Sequence, residues 1–240
     1  PNVQIKHTQI SSKILEVLLI KKNYPLVIAI DGPAGSGKGT VAQKIATKLN
    51  YHYLDSGAIY RVIAYAAKKE NIKSESISTL IDLVADSKIK FKENNIWLNG
   101  NEVTNLIRTE SISKLASKIA IHSKLRASIL EYQRSFCKMP GLVAEGRDMT
   151  SVVFPNAHLK IYLNASVSER AKRRYKQLIS KGNDVNLSDL AYEIKTRDRR
   201  DKEREVSPLI IVKEANVIET DNLNETETVN KILSLFYKEK

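Results

Sequence analysis

From Pro25 onward the chain alternates short, uninterrupted apolar runs with longer segments whose apolar residues recur every three or four positions. Leu26–Ile30 is apolar throughout and stops at Asp31-Gly32, as in a strand buried on both faces. Gly37–Leu49 brings Val41, Ile45, Ala46 and Leu49 to one side of a helix. A short strand at Tyr51–Leu54 and a helix over Ala58–Lys69 follow. Within Lys88–Asn99 the period drops to two around Glu93-Asn94-Asn95, which predicts a hairpin. Helices are expected over Thr109–Ala120 and Lys124–Cys137, and strands at Leu142–Ala144 and Leu159–Leu163. Two strongly charged helices, Ser166–Lys181 and Asn186–Arg204, precede a strand at Val217–Glu219 and a closing helix from Glu225. This alternation predicts an α/β fold, a mostly parallel sheet flanked by helices, interrupted by one small insert carrying the hairpin. Residues 1–24 read as an extension to the domain of residues 25–240. Ile14, Leu15, Val17, Leu18, Leu19 and Ile20 suffice there for a short docked helix over Ser11–Ile20.

Composition narrows the class. The 240 residues are 42% hydrophobic and 28% charged, which excludes collagen-like, disulfide-rich and wholly disordered chains. No apolar run approaches the ~20 residues that cross a bilayer, and no secretory signal pattern is seen near the start. A lone Cys137 cannot form an internal disulfide, so a reducing compartment, the cytoplasm, is expected. The net charge of +12 is unevenly built. Lysines are spread along the chain, whereas no arginine precedes Arg61 and eight of the twelve lie from Arg147 onward. Arginine's planar fork suits phosphates and carboxylates, so the bias points to an anionic ligand.

The strongest chemical signal is GPAGSGKGT, Gly32-Pro33-Ala34-Gly35-Ser36-Gly37-Lys38-Gly39-Thr40, between a predicted strand and a predicted helix. Glycines let successive backbone N–H groups face one set of phosphate oxygens, and the helix adds the positive end of its dipole. Lys38 can reach β- and γ-phosphates. Gly39 follows Lys38 where many such loops carry the Mg²⁺-binding hydroxyl; here the hydroxyl comes one residue later, at Thr40.

Three further stretches stand out. LDSGAIYR (Leu54–Arg61) delivers Asp55-Ser56-Gly57 into a helix carrying Tyr60 and Arg61, a pattern that a plain N-cap explains equally well. GLVAEGRDM (Gly141–Met149) puts Arg147-Asp148 at the C-terminal end of a predicted strand, where open α/β sheets bind ligands. In Ile194–Leu209, Arg197, Arg200, Asp201 and Arg204 share one helix face, and Arg170, Arg173 and Arg174 share another. Alone, either face reads as a solvated, salt-bridged surface. His52, His122 and His158 show no metal-ligand spacing.

Taken in order, GPAGSGKGT, LDSGAIYR, EVTNLIRTE, VAEGRDM, RAKRRYKQL and RDRRDKEREVSPL resemble the bacterial cytidylate kinase family of P-loop nucleoside monophosphate kinases. The resemblance runs from about Leu26 to the C-terminus. It implies a P-loop NTPase-type sheet with an inserted NMP-binding subdomain at about 72–138 and a helical lid at about 166–205. It implies transfer of the γ-phosphoryl group of ATP to CMP or dCMP, with Mg²⁺ held mainly by ATP and water and no direct protein ligand. By the same resemblance, Gly32 to Thr40 bind ATP and Arg173 belongs to the mobile lid closing over it. Ser56, Tyr60 and Arg61 lie on the CMP side, with Arg61 on its phosphate. Ser117 and Arg126 contact cytosine, Arg147 contacts the acceptor phosphate beside Asp148, and Asp201 accepts from the ribose hydroxyls. Arg197 and Arg204 complete these contacts. The catalytic set is then Lys38, Arg147, Asp148, Arg173 and Arg197. Several positions depart from the family pattern: Glu145 stands for an aspartate but keeps a carboxylate, Thr150 for a glycine, Ser151 for a threonine, and Arg199 for a frequent aspartate.

The partners implied are small nucleotides, with neither nucleic acid nor membrane, acting on a monomer. The alternative is a P-loop kinase for another nucleoside monophosphate or a small metabolite such as shikimate. A nucleic-acid-binding P-loop protein fits less well, because four Phe and one Trp leave little for a stacking platform.

Overall fold

The computed structural model describes residues 24–92, 95–180 and 182–239; the expected helix over Ser11–Ile20 and the hairpin tip Glu93-Asn94 lie outside them. In chain order, β1 (Leu26–Asp31) leads to α1 (Lys38–Leu49), and β2 (His52–Asp55) to α2 (Ser56–Lys69). The insert follows: α3 (Ile77–Asp86), the strands β3 (Ile89–Lys92), β4 (Asn95–Leu98) and β5 (Asn101–Glu102), then α4 (Glu110–Ile119) and α5 (Ser123–Arg134). The chain returns to the main sheet through β6 (Gly141–Gly146) and β7 (Leu159–Asn164). The helices α6 (Val167–Ile179) and α7 (Leu187–Glu203), strand β8 (Asn216–Glu219) and α8 (Glu225–Glu239) complete it. The main sheet is ordered β2-β6-β1-β7-β8, and every neighbouring pair is parallel.

The central strand explains its own sequence. Ile28 and Ile30 face one side, with Val41 and Ile45 of α1 and Val229, Ile232 and Phe236 of α8. Val27 and Ala29 face the other, in a second core with Leu54, Ala58, Ile59, Met149 and insert residues such as Ile112 and Leu125. A strand covered on both sides has no solvent face, hence no polar residue before Asp31. The predicted hairpin is present as β3 and β4, extended by β5 to a three-stranded antiparallel sheet.

Differences from the sequence-based expectation are an added helix in the insert and shifted element ends. Helix α3 lies outside the expected elements, although Ile77, Leu80, Ile81 and Val84 recur at helical spacing; Leu80 and Leu83 are buried on it. Strand β6 runs to Gly146 rather than Ala144, because Glu145 and Gly146 still pair with Ile30 and Asp31 of β1. Helix α2 begins two residues early, at Ser56, where the Asp55 carboxylate accepts from the Ala58 N–H at 2.9 Å.

The α6–α7 pair is tied to the phosphate loop by Arg170. Its buried guanidinium meets Asp198 of α7 at 2.6 Å and donates to the Ala34 carbonyl at 3.0 Å. The loop itself sits tightly against β7: a Cβ at Gly32 would lie 2.1 Å from the Leu163 carbonyl oxygen. Gly32→Ala is therefore expected to destabilise the fold by about 1–3 kcal/mol, read as a lower urea midpoint. An unchanged midpoint would mean that the loop does not depend on this approach.

Candidate active site

A cavity of about 1330 Å³ opens at the C-terminal edge of the sheet, between the phosphate loop, the insert and α7. Its floor is the loop. Gly37 carries φ 89° at the junction with α1, a left-handed conformation that glycine adopts without strain, and Lys38 begins the helix. Ala34, Gly35, Gly37, Lys38, Gly39 and Thr40 line the cavity; Gly32, Pro33 and Ser36 stand behind them. The Lys38 ammonium donates to the Pro33 carbonyl at 3.2 Å and lies 3.9 Å from Glu145 at the end of β6.

The ten residues expected on the acceptor side, Ser56, Tyr60, Arg61, Ser117, Arg126, Arg147, Asp148, Arg197, Asp201 and Arg204, all line this cavity. They arrive from α2, α4, α5, the end of β6, and α7 with the residue after it. Arg126 bridges the buried Asp148 carboxylate and the Ala120 carbonyl (2.9 Å), and its guanidinium lies 5.4 Å from the centre of the Tyr60 ring. Ser56 accepts from Gln133 at 2.8 Å. Arg147 pairs with Asp201 at 2.8 Å, and Arg61 lies 3.8 Å from Asp55. Arg173 is placed apart. It donates to Ser36 and Thr220, pairs with Glu169, and borders a second cleft of about 480 Å³ shared with Ser36, Thr40, Asn222 and Asn224.

Among the described residues, Arg197, Arg200 and Arg204 of α7 and its end reach the cavity without a carboxylate at ion-pair distance. Arg197 donates to Ser113 at 3.1 Å, Arg200 to Ser117 at 3.1 Å and Arg204 to the Ser207 carbonyl at 2.6 Å. The Nε of Arg197, the Nη2 of Arg204 and the Oγ of Ser36 are enclosed without any hydrogen-bond partner. Burial, reinforced by the Arg147 cation, pulls Arg197 down to about 10. Burial and then Arg126 also lower Arg204. Against the upward push of burial, Arg147 and Arg197 hold the Asp201 carboxyl below its ordinary range. Around the loop, burial and the nearby Arg147 lower Lys38 to about 7, while burial and the nearby Asp55 raise Glu145 to about 7. The site carries an uncompensated positive field, a surrounding that an anion relieves.

Sequence reasoning assigned no role to Arg200, Asp55, Glu145 or Gln133, all of which line the cavity or support it. Arg200 had a signal, one turn from Arg197 on the same face. Gln133 had none, because its contact with Ser56 spans 77 residues. Thr150 replaces a glycine without strain: among the described residues the non-glycine positions with positive φ are Asn50, Asn71, Asn99 and Ser207. Arg199 points away from the cavity, exposed on α7.

A strand–glycine loop–helix unit with its lysine facing a cage of arginines, on a parallel sheet, defines a P-loop phosphotransferase. The chain belongs to the cytidylate kinase family, whose model matches residues 28–238. It is 49% identical over 210 residues to the cytidylate kinase of Polynucleobacter asymbioticus, covering 88% of this chain and 96% of that protein. With the cytidylate kinase of Nitrosomonas europaea it shares 44% identity over 216 residues, covering 90% and 96%.

The lowered Lys38 makes a prediction with a definite sign. At pH 8 the buried amine is mostly neutral in the free protein, and polyphosphate favours its charged form. Binding of ATP without Mg²⁺ at pH 8 should therefore take up a proton, to a limit of about one, and affinity should weaken as pH rises above 7. Calorimetry in two buffers of different ionisation enthalpy measures it; binding heats independent of buffer would show that Lys38 is already charged.

Proposed function

We propose that this chain transfers the γ-phosphoryl group of ATP to CMP and dCMP, giving ADP and CDP or dCDP, with the roles below. The observation that supports the roles is the set of unanswered donors on Arg197 and Arg204 beside Arg147, across one cavity from Lys38. Lys38 and the loop amides hold the β- and γ-phosphates, and Lys38 follows the charge during transfer. Arg61, Arg147, Arg197 and Arg204 hold the acceptor phosphate and aim its oxygen at the γ-phosphorus. Ser117 and Arg126 read the cytosine, with Asp148 fixing Arg126, and Asp201 accepts from the ribose. The α6–α7 pair acts as the lid over ATP, with Arg173 closing beside the loop, and residues 72–138 as the acceptor-binding insert. Closure excludes water, whose attack would waste ATP.

The phosphate monoester has a second pKa of about 6, so the acceptor is already a nucleophilic dianion at neutral pH and no general base is required. Charge and positioning are what remain to supply. The surroundings of the loop fit Mg²⁺-ATP: Thr40, Glu145 and the unpartnered Ser36 offer only hard oxygen donors. Among the described residues no cluster of three or more His, Cys, Asp or Glu side chains could hold a metal. As the family resemblance implies, the ion would be held mainly by ATP and water, with Thr40 the chain's own hydroxyl at that place. Once bound, Mg²⁺ neutralises charge on the β- and γ-oxygens. The ligands are small nucleotides met by a monomer in the cytoplasm; among the described residues no helix is long and apolar enough to cross a membrane.

Coupled measurement of ADP formation with CMP, dCMP, UMP, AMP and shikimate as separate acceptors tests the reading. Rapid turnover with CMP and dCMP and little with AMP is expected; turnover with another acceptor alone would overturn the cytosine assignment. Lys38→Ala should lower kcat by on the order of 10²–10³ in a folded protein, and near wild-type kcat would remove Lys38 from the mechanism. Arg126→Ala should raise KM for CMP by about tenfold or more while KM for ATP stays put. Equal losses for both would place Arg126 outside the acceptor site.

A further inference from the structure

Asp31 ends β1, next to the first glycine of the phosphate loop, and it is buried at 1% exposure. Its two carboxylate oxygens take three hydrogen bonds from one short stretch of chain. The Met149 N–H donates to Oδ1 at 2.9 Å, the Thr150 N–H to Oδ2 at 2.8 Å, and the Thr150 hydroxyl to Oδ2 at 2.6 Å. That stretch is the start of a single π-helical turn, Met149–Val153, which follows Arg147-Asp148 directly. Its opening N–H groups are the orphan donors that a capping side chain ordinarily satisfies. The residue in the capping position, Asp148, makes no such bond, because its carboxylate is turned to Arg126.

We infer that Asp31 and Thr150 form a clamp that positions the acceptor-side residues Arg147 and Asp148 relative to the phosphate loop. Asp31 caps the turn from a neighbouring strand and thereby frees Asp148 to hold Arg126. The same carboxylate is one covalent step from Gly32, and β1 pairs with β6 up to Asp31 and Gly146. One buried group therefore fixes the spacing between the loop that grips the donor and the arginine that grips the acceptor. The Thr150 hydroxyl makes the shortest of the three bonds, to the oxygen that already accepts the Thr150 N–H. Neither Asp31 nor Thr150 lines the cavity, so both are positioning residues and neither touches substrate. In-line transfer is sensitive to misplacement on the scale of one ångström.

The inference rests on the acceptor roles proposed for Arg147 and Asp148. Thr150→Val removes the hydroxyl and keeps the shape; Thr150→Ser keeps the hydroxyl. Initial-rate kinetics with each substrate varied, together with thermal unfolding, should show Thr150→Val losing about tenfold in kcat/KM for CMP. KM for ATP should stay unchanged and Thr150→Ser should stay close to the parent. Thr150→Ala, which keeps the N–H donor and removes the hydroxyl, serves with the same expectation if the valine variant does not fold. Unchanged kcat/KM in the folded hydroxyl-free variant, equal losses toward ATP and CMP, or a serine variant as impaired as the valine would each overturn the clamp. If Arg126→Ala still weakens CMP selectively in that case, the acceptor site stands and only the clamp falls; if it does not, the acceptor reading itself has failed.

Discussion

Arg147 and Asp201 meet at 2.8 Å, joining the end of β6 to a helix that starts 40 residues further along the chain. Enclosing an arginine costs several kcal/mol unless a partner offsets it. Asp201 supplies that partner, so Arg147 can stand at the sheet edge without leaving for solvent. Yet Asp201 answers only one of the cations around it. Arg197 is one turn away on the same helix and Arg204 just beyond its end, each left with a hydroxyl or carbonyl as acceptor. The pair thus holds α7 over the cavity while the field there stays positive. Paired throughout, the arginines would have no donor left for a phosphate; unpaired throughout, Arg147 would be enclosed without a partner.

The same balance governs how the cavity is covered. Lys114 meets Glu193 at 2.6 Å and Glu110 meets Arg174 at 2.9 Å, linking α4 to α7 and α6 alongside the two serine contacts of Arg197 and Arg200. These are largely exposed pairs, each contributing at most about 1 kcal/mol. The root of the pair is different: Arg170 is buried against Asp198 and the Ala34 carbonyl. The pair is attached firmly at the phosphate loop and weakly at its tips, as the lid proposed above requires. Phosphates entering between α4 and α7 would supply what the surface pairs do not.

Much of this architecture was legible in the chain. The central strand β1 was legible because burial on both faces leaves no polar position before Asp31, and the glycine loop because its geometry admits few other residues. What stayed hidden shares one cause: it depends on distant partners. Helix α3 is the exception, since Ile77, Leu80, Ile81 and Val84 carry a helical period in the sequence itself. The arginine faces of α6 and α7 read alone as solvated surface, since sequence spacing shows which side chains share a face and not what that face meets. Their grouping with the loop came from resemblance. The three bonds of Asp31 span about 118 residues and are carried partly by backbone N–H groups, which leave no trace in side-chain chemistry.

The carboxylates decide between acceptor chemistries. Six line the cavity: Asp55, Glu110, Glu145, Asp148, Glu193 and Asp201. Each faces a cation, respectively Arg61, Arg174, Lys38, Arg126, Lys114 and Arg147. A kinase acting on an alcohol needs a carboxylate free to accept the hydroxyl proton, as the catalytic-loop aspartate does in protein kinases. Here Asp148 and Asp201 would first have to abandon the enclosed Arg126 and Arg147, leaving unanswered charge in a field that is already positive. A phosphate acceptor removes that demand: it arrives deprotonated, and its charge completes the arginines that the protein leaves open. The cavity is short of anions, an arrangement that suits transfer to a phosphate arriving already charged better than transfer to a neutral hydroxyl.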